Sequence, residues 1–218
     1  MTLAFDAACR RCDRLARFLE QVKAEHPGYF CQPVPPFGAA NPGLLVVGLA
    51  PGLHGANASG RPFTGDHAGI LLYQTLHRFG FASAPASLSA DDSLELIDCR
   101  ITNAVKCLPP QNKPVGAEIN ACRDYLAVEL QTLRPASVVV ALGSIAHKSV
   151  VAAFGLRQKD CVFAHAAEHT MPREVILIDS YHCSRYNTQT RRLTTPMFED
   201  VFARARARLA AVDAEPSQ

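Results

Sequence analysis

A chain of 218 residues, 48% hydrophobic and with a formal net charge of +2, holds enough apolar material for a sizeable core and shows no global basic field. It contains no run of about 18 apolar residues, so no transmembrane helix is expected, and MTLAFDAACRRC lacks the basic-then-apolar build of a signal peptide. A cytoplasmic, reducing setting is expected, in which the eight cysteines weigh toward metal or catalytic chemistry rather than disulfides.

In chain order, residues 6–26 read as a helix with apolar positions at Leu15, Phe18, Leu19 and Val22, stopped by Pro27-Gly28. Residues 31–43 are a Pro/Gly-rich connector. Residues 44–49 are a continuous apolar run, as expected of a strand covered on both faces. A helix follows at 69–79 and a loop at 85–92. The segment 94–105 contains a second strand, 116–133 a helix, 137–142 a third strand, 143–154 a helix and 174–178 a fourth strand. Residues 195–212 close the chain as a helix with a basic side of Arg204, Arg206 and Arg208. The alternation predicts an α/β sandwich around a mostly parallel four-stranded sheet, in one domain spanning 1–218 with a frayed tail after about residue 212.

Open parallel sheets bind ligands beyond the carboxyl ends of their strands. Chemistry is therefore expected from 48–66, 103–113, 143–144 and 180–194. The first of these opens GLAPGLHGANASGRPFTGDHAG, a stretch from Gly48 to Gly69 with six glycines, which lets backbone approach a ligand closely. It lacks G-K-[ST] and GxGxxG, so neither a phosphate loop nor a dinucleotide site is indicated, and no G-x-S-x-G elbow occurs. Cys9 and Cys12 form C-x-x-C; with Cys107 and Cys122 they offer four thiolates for a tetrahedral metal or an iron–sulfur cluster, although a second C-x-x-C is missing. Cys31, Cys99, Cys161 and Cys183 have no partner spacing and are expected to pack as small apolar residues. His165-Ala-Ala-Glu168-His169 fits H-x-x-E-H, but Pro172 denies it the helix a zinc protease needs, and a solvated loop or helix end is expected instead.

GLAPG with GRPFTGD, ITNAVKCLPPQNKP with Cys122, and HCSRYNTQTRRLT together resemble the type-B uracil-DNA glycosylases, the iron–sulfur branch of the uracil-DNA glycosylase superfamily. The resemblance runs from Cys9 to about Phe198. It implies an α/β/α sandwich, a 4Fe-4S cluster on Cys9, Cys12, Cys107 and Cys122, and DNA containing uracil as substrate, acted on by a monomer without a membrane partner. The implied base pocket holds Phe63 as stacking ring and Asn103 as edge reader, with Gly48 and Ala50 in its wall. His182 is the implied catalytic histidine, a donor to the departing base. Ala50 cannot move a proton, so Asn57 is assigned the attacking water, with Asp66 and His54 as weaker candidates. Ser184, Arg185, Tyr186, Lys113 and Arg191, joined by Arg192, form the implied DNA face, with Tyr186 as wedge.

Taken without the resemblance, several of these residues have plainer readings: Phe63 a core ring, Asn103 a strand-end turn residue, His182 a satisfied structural side chain and Asp66 a helix cap. A non-catalytic iron–sulfur module that senses damaged bases is the rival reading, and a zinc-binding nucleic-acid protein a third. Ala58, Ser59 and Arg191 depart from the family pattern, which leaves the range between uracil, hypoxanthine and etheno-cytosine open.

Overall fold

The computed structural model describes residues 5–214; the last residues of the expected tail, 215–218, lie outside them. Six strands form one sheet in the order β1-β3-β2-β4-β6-β5. They are β1 (Phe37–Gly38), β2 (Leu44–Gly48), β3 (Cys99–Asn103), β4 (Val138–Leu142), β5 (Glu168–Thr170) and β6 (Ile176–Ser180). The four expected strands are the central parallel ones, β3-β2-β4-β6. The sheet is wider than the four strands expected. Two short antiparallel strands are added: β1 on β3 and β5 on β6.

Helices cover both faces, which makes three layers. Along β2, Leu44 and Val46 join one core with α3 (His67–Arg78) and α7 (Thr195–Ala214), while Leu45 and Val47 join the other with α4 (Gly116–Gln131) and α5 (Ser144–Ala153). The same alternation runs along β4, where Val138, Val140 and Leu142 face one core and Val139 and Ala141 the other. This is why these strands read as unbroken apolar runs. A third, smaller core packs α1 (Asp13–Glu25) against Val105, Leu108 and Cys122.

The first helix is shorter than expected. It starts after Cys12, whose extended backbone leaves Cys9 and Cys12 outside the helix. Two short helices were not anticipated: α2 (Ala56–Ser59) and α6 (Arg185–Gln189). The basic side of α7 is consumed within the fold. Arg206 bonds the Phe79 carbonyl and lies 3.8 Å over the Phe81 ring, and Arg208 pairs with Glu168 at 2.7 Å. Among the described residues no helix is long and apolar enough to cross a membrane.

β2 feeds β3 on one side and β4 feeds β6 on the other, so the chain reverses its winding between β2 and β4. A crevice forms outside the strand ends at such a point.

Candidate active site

The crevice is a cavity of about 620 Å³, walled by the glycine-rich segment after β2, by Asn103 and Asn112 after β3, and by His182, Ser184 and Arg185 after β6. Phe63 has φ +57°, a left-handed backbone that a bulky side chain rarely adopts. Buried contacts hold it there. Tyr73 Oη donates to the Pro62 carbonyl at 2.8 Å, and the Arg61 guanidinium pairs with Asp92 at 2.5 Å and lies 4.3 Å over the Phe37 ring. Gly69 permits the conformation, because a Cβ there would sit 1.8 Å from the Phe63 carbonyl oxygen. The ring is 6% exposed and belongs to one of the cores, and it also walls the cavity.

Gly48 and Asn103 are register partners across β2 and β3. A Cβ on Gly48 would meet Asn103 Oδ1 at 2.4 Å and the Phe63 ring at 2.7 Å, so glycine here is what lets ring and carboxamide meet. Asn103 is 4% exposed, and its Oδ1 is buried with no hydrogen-bond partner among the described residues. A buried polar atom left so is costly unless a ligand completes it.

His182 faces Phe63 with centroids 6.1 Å apart and planes 28° from parallel. Burial pushes its imidazole below the ordinary histidine value, against the pull of the Asp66 carboxylate, so it is uncharged at neutral pH. Its carbonyl accepts from Asn187 Nδ2 at 2.8 Å, which fixes the loop and leaves the ring to the cavity. Asp66 caps α3 through Oδ1, which accepts from the Gly69 amide at 2.9 Å. Its Oδ2 points toward the glycine loop, 3.5 Å from where a Gly52 Cβ would stand.

Of the expected site residues, Ala50, Phe63, Asn103, His182, Ser184 and Arg185 line the cavity, as do Asp66 and His54. Asn57 does not. The α2 turn points it inward, where it is fully buried and its Nδ2 donates to Cys31 Sγ at 3.4 Å. Tyr186, 71% exposed on α6, and the exposed Lys113, Arg191 and Arg192 stand outside the cavity. Two polar lining residues were not among those expected. His67 reaches Thr188 Oγ1 at 3.2 Å and ties α3 to α6. Asn112 sits beside Gln111 in a left-handed pair (φ +56° and +55°), and asparagine between prolines was its available signal.

The H-x-x-E-H histidines are not on a helix: His165 lies in a turn and His169 in β5, where its ring nitrogen falls within 4.8 Å of ligand atoms of His147 and Asp179. They brace the strand that carries His182. His165 Nδ1 accepts from the Tyr181 amide at 3.1 Å, and His169 Nε2 bonds Asp179 Oδ2 at 3.1 Å. The other Asp179 oxygen lies 2.7 Å from Nδ1 of His147, whose Nε2 is 2.9 Å from the Cys161 carbonyl. Both neighbours of His147 accept when Asp179 is ionised, which favours a proton on each ring nitrogen and so a buried cation. Burial alone would lower its pKa; the Asp179 carboxylate and the Cys161 carbonyl outweigh that and raise it. A group raised in the folded state stabilises fully below the unfolded value, near 6.5, and loses its contribution as pH rises through the folded value. The melting temperature of wild type minus that of His147→Gln is therefore expected to shrink as pH climbs above 6.5. A difference that stays constant from acid to alkaline pH removes the buried cation.

Cys9, Cys12, Cys107 and Cys122 are free thiols that line one small pocket with Lys106 and Tyr125. Arg14 pairs with Glu118 at 2.7 Å and fastens α1 to α4, which fixes Cys12 relative to Cys122. Among the described residues no three of the sulfurs lie mutually within 4.8 Å. A single zinc, with Zn–S of about 2.3 Å, would draw them to about 3.8 Å apart. Burial pushes the Cys107 thiol up to about 12, and the neighbouring sulfurs add to it. Four thiolates here need a cationic partner. The other four cysteines are buried, as expected of packing residues.

The molecule is a three-layer α/β fold with a cavity of about 620 Å³ at the sheet's switch point, walled by Phe63, Asn103 and His182, a ligand site of the kind such sheets carry at their strand ends. The family model of the uracil DNA glycosylase superfamily matches residues 35–206. The chain is 47% identical over 204 residues to a type-5 uracil-DNA glycosylase of Thermus thermophilus, covering 91% of this chain and 93% of that one. It is 40% identical to a type-5 uracil-DNA glycosylase of Pyrobaculum aerophilum, covering 91% and 88% of the two chains. A type-4 uracil-DNA glycosylase of Archaeoglobus fulgidus is 33% identical over 68% of this chain. The chain belongs to the uracil DNA glycosylase superfamily.

Proposed function

We propose that this protein is a monofunctional DNA glycosylase of base-excision repair, which extrudes a uracil nucleotide and hydrolyses its N-glycosidic bond to leave an abasic site. The observation that carries the reading is Asn103, whose buried Oδ1 has no partner among the described residues, lining a cavity with the Phe63 ring and the His182 imidazole. In this reading Phe63 stacks on the base and Asn103 offers the donor and acceptor that match uracil's edge. Negative charge collects on the base as the bond breaks, and neutral His182 donates to the base oxygen O2 that takes it up. Asp66, rather than Asn57, holds the attacking water through Oδ2. No lysine lines the cavity among the described residues, so the sugar is not captured covalently and the strand stays intact. Ser184 and Arg185 meet phosphates, Tyr186 fills the gap in the duplex, and Lys113, Arg191 and Arg192 supply positive charge. Cys9, Cys12, Cys107 and Cys122 hold a 4Fe-4S cluster. When bound, it supplies iron–thiolate ties that fasten the N-terminal helix to the segment after β3. The chain acts as one domain and one monomer in the cytoplasm.

A labelled duplex with a single uracil, treated with protein and then alkali, is expected to break at that position; hypoxanthine and etheno-cytosine are the next bases to test. Binding without cleavage at any of the three would leave the damage-sensing module as the function. The purified protein is expected to be brown, with about four irons per chain. Zinc in place of iron would return the third reading.

A further inference from the structure

A second cavity, of about 410 Å³, adjoins the first. The two share a wall of Phe63, Gly65, Asp66, His67 and Arg185. The far wall carries two of the most exposed apolar side chains in the protein, Leu88 at 82% and Ile70 at 57%. An exposed leucine on a mobile loop would need no explanation, but this loop is held fast. Asp92 accepts from the amides of Leu88, Ser89 and Leu94 at 2.8, 3.3 and 3.1 Å. Buried Arg61 bonds Asp92, Ser87 Oγ and the Ala90 carbonyl. Ser87 Oγ is also 2.7 Å from Thr64 Oγ1, one residue from the strained Phe63. Leu88 and Phe63 are thus presented by one rigid piece, Leu88 lining the second cavity and Phe63 the wall common to both, with the Arg185 guanidinium at the junction.

We infer that the second cavity is a subsite for the nucleotide adjoining the extruded one on the same DNA strand, its base lying on Leu88 and Ile70 and the intervening phosphate meeting Arg185. The inference rests on the proposed glycosylase reading. A continuous strand suits two contiguous cavities with a cation between them, because it alternates base and phosphate at that spacing. An apolar rim recognises any base by its face, so this subsite adds grip without sequence preference.

The test pairs a protein variant with a substrate change. Single-stranded oligonucleotides carry one uracil and, in turn, a base-less spacer on its 5′ or 3′ side. With wild type, one of the two spacers is expected to lower kcat/KM about tenfold, the range for loss of one base contact. With Leu88→Ser, the intact oligonucleotide is expected to lose a similar factor and the spacer to cost nothing further. Leu88 is exposed, so the variant folds; an unchanged melting curve checks this. Val162→Ala, at a 70% exposed apolar position outside both cavities, is expected to keep the full spacer penalty. Penalties that simply multiply in Leu88→Ser, or no penalty from either spacer in wild type, overturn the subsite. A wild type that leaves uracil untouched in the intact oligonucleotide overturns the glycosylase reading instead, so the two failures are distinguishable.

Discussion

His182→Ala is expected to lower the single-turnover rate of uracil excision about 10²- to 10³-fold, the usual cost of one lost donor to developing negative charge. Affinity for a duplex holding a non-hydrolysable uracil analogue should change far less, because the charge is absent from the ground state. The imidazole earns such an effect from its surroundings. Burial keeps it neutral despite Asp66, so it approaches the base as a fixed N–H rather than a cation that must shed water. Its position is set by groups that do not touch the base: the Asn187 bond to its carbonyl, and the His147–Asp179–His169 network on the strand behind it. The substitution leaves these in place, and the half-buried ring supports little of the core, so the melting temperature should hold. His182→Gln, which can still donate, should recover part of the rate. A wild-type rate in His182→Ala, measured at a single turnover, would strip the residue of its role.

The central sheet was legible because Leu44–Val47 and Val138–Leu142 are buried on both faces, and double burial writes itself as an unbroken apolar run. The edge strands leave no such trace. Phe37–Gly38 lies in a proline-rich connector, and Glu168–Thr170 is Glu-His-Thr; both are strands because a neighbour's backbone pairs with them. In the site, Phe63, Asn103 and His182 stand where the strand ends predicted chemistry. Side-chain direction was another matter. Asn57 and Asp66 are both polar residues in a glycine-rich segment, and nothing local distinguishes them. The unanticipated turn at Ala56–Ser59 rotates the first into the interior, while the second sits where α3 begins and one oxygen is free to face the cavity. The H-x-x-E-H histidines lack the helix a zinc protease needs. Their actual partners, Tyr181 and Asp179, come from a strand pairing that periodicity does not reveal.

Asp66→Asn is expected to lower single-turnover excision by about 10²- to 10⁴-fold with little change in stability. The carboxamide separates two functions that the carboxylate combines. Asparagine caps a helix about as well as aspartate, so the Gly69 amide keeps its acceptor and α3 its first turn. It orients water but takes no proton, so the chemical step loses its base. His182 is no confounder, because Asp66 raises the imidazole's pKa and removing that charge leaves the ring still more firmly neutral. Asp66→Ala makes the contrast: it should cost a similar rate and also about 1 kcal/mol through the lost cap. Asn57→Ala should show the reverse pattern, a lower melting temperature from a cavity beside Cys31 and a rate within a few-fold of wild type, since Nδ2 is bound to the sulfur and the residue does not line the crevice. Rates and melting curves for the three variants decide between the two residues. A large rate loss in Asn57→Ala with an unchanged melt, alongside an active Asp66→Asn, would give the water to Asn57 and require the α2 turn to open when DNA binds.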